Sequence, residues 1–167
     1  MDNKAKIGVY ICHCGHNIAG IIDISEVHRH VRGLDHVSVV RDYDYMCSNK
    51  GYELIGQDIK KLGINRVVVA GCSPRLHEQS FQNVLRKADL NPQFLQIANI
   101  REQCSWLHVP GPMVTEKVKR LVNGAIKRVI THVPVEAQFV PVFPNTLVIG
   151  GGIAGIQAAL EIANSHH

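Results

Sequence analysis

Asn65–Pro74, NRVVVAGCSP, decides the fold. Three valines and an alanine in succession form a continuous apolar run rich in β-branching, which suits a strand buried on both faces. Gly71 and Cys72 end the run. Ser73-Pro74 then offers a helix cap and a first helical residue that has no N–H to satisfy. A strand therefore leads through a thiol-bearing turn into a helix. The same order recurs in KIGVYICHC (6–14), HVSVVRDYDYMC (36–47) and FLQIANIREQC (94–104), apolar runs that end at Cys14, Cys47 and Cys104. The stretches between them carry helical spacing. Asp23 can cap a first helix while Glu26 reaches back to it, as in a capping box, and Val27, Val31 and Leu34 mark its buried stripe. Residues 51–63 place Ile55, Ile59 and Leu62 on one face and stop at Gly63. Phe81, Val84, Leu85 and Ala88 line a third helix. Val114, Val118, Leu121, Val122, Ala125 and Val129 line a fourth, from about 113 to 131. Strand and helix alternate four times over residues 1–132, which predicts an α/β domain with a mainly parallel four-stranded sheet flanked by helices, Rossmann-like in kind.

VPVEAQFVPVFP (133–144) breaks this rhythm, because Pro134, Pro141 and Pro144 favour extended chain and stop any helix. It reads as a linker. Residues 145–165, opening NTLVIGGGIAGIQAALEIA, then predict a strand, a glycine turn and the start of a helix. Gly150, Gly152 and Gly155 fit G-x-G-x-x-G in the context that makes the pattern meaningful. Glycines let backbone approach a pyrophosphate, and the helix start offers free N–H donors. The second strand and ribose-binding acid expected about 20 residues further on are absent. The turn is thus expected to serve FAD or NAD(P) in a longer parent and not to bind it in this chain. His166 and His167 read as a remnant of a purification tag.

Composition, at 46% apolar and 19% charged residues, is that of a globular protein. No stretch approaches a membrane span, and no signal pattern precedes the first strand, so a soluble, cytoplasmic protein is expected. A formal charge of +4 without a dense Lys/Arg run argues against nucleic acid as a partner. In a reducing compartment the five cysteines suit ligand or redox roles better than disulfides. Cys12, inside its strand, reads as a small packing residue. Cys14, Cys47, Cys72 and Cys104 lie at polar or glycine-bearing turns, where a parallel sheet gathers the ends of its strands. Four thiolates so gathered suit zinc and an iron–sulfur cluster equally, and plain packing is the competing reading. His13 and His16 flank Cys14 and could tune or replace a ligand. His28, His30 and His36 are expected at the surface, as are Lys117, Lys119, Arg120, Lys127 and Arg128 on the fourth helix. Arg75 and Arg101 each lie three residues from a candidate ligand and could offset the negative charge of a thiolate site.

Four segments together make the chain resemble a known family. They are CHCGHNI (12–18), MCS (46–48), AGCSPR (70–75) and NIREQCSW (99–106), with VIGGGIAG (148–155) following. They resemble the amino-terminal domain of the heterodisulfide reductase A subunit and the first residues of the FAD-binding domain behind it. The resemblance implies an iron–sulfur flavoprotein oxidoreductase whose amino-terminal domain carries a [4Fe-4S] cluster and relays electrons. It gives the ligand roles to Cys14, Cys47, Cys72 and Cys104, with Cys14 preferred over Cys12 because a turn reaches further than a mid-strand position. FAD would belong to the full-length parent only. The implied partners are other heterodisulfide-reductase-type subunits and an electron-donating hydrogenase or dehydrogenase, with a homodimer as a further option. A structural zinc module or a protein-docking module of the same flavoprotein is the alternative.

Overall fold

The apolar runs become strands in the computed structural model, which describes residues 4–136 and 138–165. Strands β1 (Ile7–Cys12), β2 (Val37–Tyr43), β3 (Arg66–Gly71) and β4 (Leu95–Asn99) form one sheet in the order β2-β1-β3-β4. All three pairings are parallel. The sequence expectation of a four-stranded α/β sheet is met. β1 and β3 are buried throughout, as their continuous apolar runs require.

The domain has three layers. Ile7, Val9, Ile11, Val68 and Ala70 meet helices α1 (His16–Ala19), α2 (Ile24–Arg32) and α5 (Pro112–Ile130) on one face. Tyr10, Cys12, Val67 and Val69 meet α3 (Asn49–Leu62) and α4 (Pro74–Lys87) on the other. Within the second layer Asp58 receives both ends of the Arg41 guanidinium, at 2.6 and 2.7 Å, and the buried Tyr10 hydroxyl at 3.3 Å.

Local signals act largely as anticipated. Asp23 Oδ1 accepts from Glu26 N at 2.8 Å and opens α2. Gly63 ends α3 in the left-handed region at φ 66°. Pro74 starts α4 behind Ser73, although the Ser73 side chain makes no cap bond. Four expectations need correcting. Glu26 does not close a capping box: Thr115 Oγ1 accepts from Asp23 N, and Glu26 takes Lys119 Nζ instead, at 2.5 Å. Lys119 is accordingly buried between Glu26 and Glu116 and is not a surface residue. Leu62, at the fraying end of α3, is half-exposed. His28 and His30 are half-buried, bonded to Val40 O and Asn123 Oδ1.

The chain divides into two compact units, Met1–Val135 and Glu136–His167. In the second, α6 (Ile153–Asn164) follows the glycine turn. The expected strand before that turn is absent: residues 145–149 carry no regular structure. A strand needs a neighbour for its hydrogen bonds, and this segment has none among the described residues. The turn itself holds glycine geometry. Gly150 has φ 117°, and a Cβ on Gly155 would lie 2.0 Å from the Gly150 carbonyl oxygen. The tag reading of His166 and His167 lies outside the described residues. Among the described residues no helix is long and apolar enough to cross a membrane.

Candidate functional site

Strand register fixes where the thiols go. Cys12 pairs with Tyr43, Ile11 with Ala70, and Gly71 with Asn99, so the carboxyl ends of all four strands lie in one row. In the order β2-β1-β3-β4 the chain reverses direction across the sheet between β1 and β3. The crevice outside the strand ends at such a switch point is where open α/β sheets place their ligands.

A small cavity of about 40 Å³ lies there, on the α3/α4 side. Cys12, Cys14, Cys47 and Cys72 line it, together with Met46, Gly71, Ser73, His77, Phe81 and Arg101 among others. Each thiol arrives by a separate local device. Cys12 ends β1, with its Sγ 3.7 Å from Asp44 O. Cys14 (φ 50°) and Gly15 (φ 55°) are both left-handed, which reverses the chain abruptly after the strand. For a non-glycine residue that conformation costs about 1 kcal/mol or more and marks a constrained site. His13, between the two cysteines, is clamped by Asp42 Oδ2 at 2.9 Å and Asp44 Oδ1 at 3.1 Å. It pins the Cys12–Cys14 turn to the end of β2 and is not among the cavity-lining residues. Cys47 sits just before Ser48, whose hydroxyl caps α3 by accepting from Gly51 N at 3.3 Å. Cys72 holds the equivalent place before α4. Both helix starts direct positive dipole ends toward the thiols.

Cys104 goes elsewhere. After β4 the chain enters a π-helical turn, Arg101–Ser105, in which Ser105 N bonds Ile100 O and Trp106 N bonds Arg101 O. The wide turn carries Cys104 into the opposite core, fully buried among residues that include Ile18, Val114 and Val118. Of the four cysteines singled out from sequence, the structure thus brings Cys14, Cys47 and Cys72 to one cavity. Cys12 lines it with them, and Cys104 does not. Arg75 is not among the residues that line the cavity, and His16 is exposed.

Arg101 is the cation of the site. Its Nη1 donates to Cys14 Sγ at 3.2 Å and its Nη2 to Glu102 Oε1 at 2.9 Å, while its guanidinium lies 4.6 Å from the centre of the Trp106 ring. Burial alone would lower its pKa, but the bonds to Glu102 and Cys14 outweigh it and hold the group firmly charged. Burial pushes Cys72 up to about 11 despite the pull of Arg101, with Glu102 and the neighbouring thiols adding to the rise. Burial also raises Cys12 and Cys104. Burial thus favours the neutral thiol at Cys12 and Cys72, and a metal would have to displace those protons.

The donor set fits an electron-rich, thiolate-bound group. Four thiols share one cavity, and Arg101 Nε is buried beside them without a partner. Among the described residues no three His, Cys, Asp or Glu side chains form a group that could hold a single metal ion. The sequence signals the cysteines and Arg101. It does not single out His77 or the Asp42/Asp44 clamp, and only the alternation in RDYD hints at the clamp.

Fold and site together define a parallel α/β domain with a thiol-lined pocket at its switch point. No protein-family model matches the chain. Among curated proteins it is 49% identical, over 98% of its length, to the iron-sulfur A2 subunit of the CoB–CoM heterodisulfide reductase of Methanopyrus kandleri. It is 50% identical over 98% to a protein of Archaeoglobus profundus described as like the heterodisulfide reductase A subunit. It is 51% identical over 96% to the A subunit of the H2:CoB–CoM heterodisulfide, ferredoxin reductase of Methanothermobacter marburgensis. The chain is a homologue of the heterodisulfide reductase A subunit, as its motifs indicate, and it spans about a quarter of the length of these relatives.

Proposed function

We propose that the unit Met1–Val135 is an iron–sulfur electron-transfer domain of a heterodisulfide-reductase-type flavoprotein oxidoreductase. The observation that carries this reading is the gathering of four thiols and an unpartnered buried guanidinium nitrogen at the switch point of the sheet. The name of the Methanopyrus relative, an iron-sulfur subunit, supports it. Cys14, Cys47 and Cys72 are proposed as ligands, as the sequence anticipates. For the fourth, Cys12 on the cavity wall is favoured by position over Cys104, the sequence choice. A [4Fe-4S] cluster held there would accept and release single electrons. The chain supplies the rest. Helix starts at Ser48 and Ser73 and the Arg101 charge stabilise thiolates, and Phe81, Met46 and Val69 keep water from them. The cavity is lined by thiols and apolar groups with Ser73, His77 and Arg101, and no carboxylate is among its described lining, so relay suits the domain better than bond chemistry.

In the same proposal the second unit begins a dinucleotide-binding domain. Gly150, Gly152 and Gly155 would meet the FAD pyrophosphate once the longer parent completes the sheet. Other heterodisulfide-reductase-type subunits, with a hydrogenase or dehydrogenase as electron donor, would be the partners. A test is direct: reconstitute the 167-residue chain with ferrous iron and sulfide without oxygen, then measure metal and colour. Broad visible absorption with near-equal iron and sulfide is expected. A colourless protein that takes zinc stoichiometrically would replace this reading with a structural metal site.

A further inference from the structure

Arg101 and Glu102 connect loops that the fold otherwise leaves apart. Arg101 Nη1 reaches Cys14, in the turn after β1. Its Nη2 holds Glu102 Oε1, and Glu102 Oε2 accepts from the backbone N–H of Ser73 at 2.9 Å, next to Cys72 after β3. Glu102 N is in turn held by Asn99 Oδ1 at 3.0 Å, at the end of β4. One ion pair thus ties the ends of three strands together around the thiols. The Trp106 ring lies against the guanidinium and is itself placed by a bond from its Nε1 to Asn17 Oδ1 at 3.3 Å. The stacked face, the two occupied terminal nitrogens and the burial leave Arg101 one orientation. Its buried Nε has no protein partner, and the residue lies at the cavity wall.

A guanidinium fixed in this way acts on charge. An electron added at the thiol site makes it more negative, and a cation held against a ligand sulfur in a buried place stabilises the added charge. Glu102 works in the opposite sense, because its carboxylate is held at the Ser73 amide beside Cys72 and opposes added negative charge there. Resting on the cluster reading above, we infer that the Arg101–Glu102 pair is a positioning device that sets the electron affinity of the site: Arg101 favours the reduced form and Glu102 restrains it. Neither residue is a ligand, and their effect is carried through the Cys14 sulfur and the Ser73 amide.

The test uses the 167-residue chain reconstituted with ferrous iron and sulfide, titrated through its visible spectrum against redox-buffered viologens. Arg101→Gln, neutral and of similar length, should disfavour reduction on the order of tenfold, which for one electron is about 59 mV toward more negative potential. Arg101→Lys keeps the charge without the planar fork and should retain most of the wild-type potential. Glu102→Gln should move the potential the other way. Opposite signs at neighbouring residues cannot come from general loosening, which would lower iron content or the urea midpoint alone. A coloured Arg101→Gln protein with the wild-type potential overturns the inference and leaves the cluster reading standing. If Arg101→Gln does not fold or load, Glu102→Gln decides by its sign, and a negative or absent shift overturns the inference. A wild-type chain that takes up no iron overturns both.

Discussion

Gly51→Ala should loosen the site, although alanine is the better helix former. Gly51 lies in the first turn of α3, three residues after Ser48, and an added Cβ would stand 2.4 Å from the Met46 carbonyl oxygen and 2.7 Å from both Met46 C and Cα. Ordinary carbon–oxygen contact begins at about 3.3 Å, so the Met46 backbone would have to retreat by about 0.9 Å. Met46 is fully buried and precedes Cys47, so the retreat disturbs both the core and a proposed ligand. Overpacking of this kind costs about 1–3 kcal/mol, and here the clash is with backbone, which places it in the upper half of that range. Alanine returns up to about 1 kcal/mol of helix propensity, leaving a net loss of about 1–2 kcal/mol. With a urea slope of about 2 kcal/mol per molar, the midpoint should fall by about 0.5–1 M. Gly124→Ala is the matched control. It is the same change in a helix, at an exposed position in α5 where nothing lies within 4 Å of the new methyl. That variant should gain about 0.5–1 kcal/mol. Urea unfolding of the metal-free proteins, followed by circular dichroism, reads both. An upward shift for Gly51→Ala comparable to that of Gly124→Ala would refute the close approach on which the reasoning rests.

Asp58→Ala strands the buried Tyr10 hydroxyl and unpairs Arg41, and should cost about 2–3 kcal/mol in urea unfolding. Asp58→Asn should recover part of it, and a loss below about 0.5 kcal/mol for the alanine variant would show the network to be idle. For Cys72, burial raises the folded-state pKa to about 11, above the roughly 8.5 of an unfolded thiol. Its contribution to stability is therefore complete below about pH 8.5 and declines as pH rises toward about 11. Cys12 and Cys104 shift in the same direction. The metal-free urea midpoint should fall across that window, less steeply in Cys72→Ser, and a midpoint flat from neutral pH to about pH 11 contradicts it. Helix α6 exposes Ile153, Ile156, Leu160 and Ile162. In sedimentation velocity the 167-residue chain should self-associate where a chain cut after Val135 runs as a monomer; identical monomeric profiles would remove that role for α6.

The sheet is legible because each strand is a local, nearly uninterrupted apolar run, and because each parallel connection needs a helix whose period shows in the sequence. Ile55, Ile59, Phe81 and Leu85 announce their faces without help from the rest of the chain. Lys119 does not, since its burial depends on Glu26, a partner 93 positions away that pattern alone cannot supply. The site is legible in part for the same reason. Adjacent parallel strands bring their carboxyl ends to one edge of the sheet, and Cys14, Cys47 and Cys72 line one cavity there. Cys104 lies apart from them because a π-turn of the backbone, which residue types do not announce, carries it to the opposite face. Cys12 reads as core packing and is buried as expected. Being last in its strand, it also reaches the cavity, and Gly71 alongside leaves it room, the virtual Gly71 Cβ lying 3.4 Å from Cys12 Cβ. Pro134, Pro141 and Pro144 announce the end of regular structure after α5 and the glycines announce the turn, whereas a strand before the turn needs a neighbour that residues 145–149 lack among the described residues.

Whether the switch-point thiols hold iron is read from the iron and sulfide content of five single Cys→Ser variants, each reconstituted without oxygen beside the wild-type chain and checked for folding by circular dichroism. Cys14, Cys47, Cys72 and Cys12 variants should lose most of their iron and visible absorption, and Cys104→Ser should stay coloured. Five folded variants that all keep wild-type iron, or a wild-type chain that never binds it, would show that these thiols are not iron ligands.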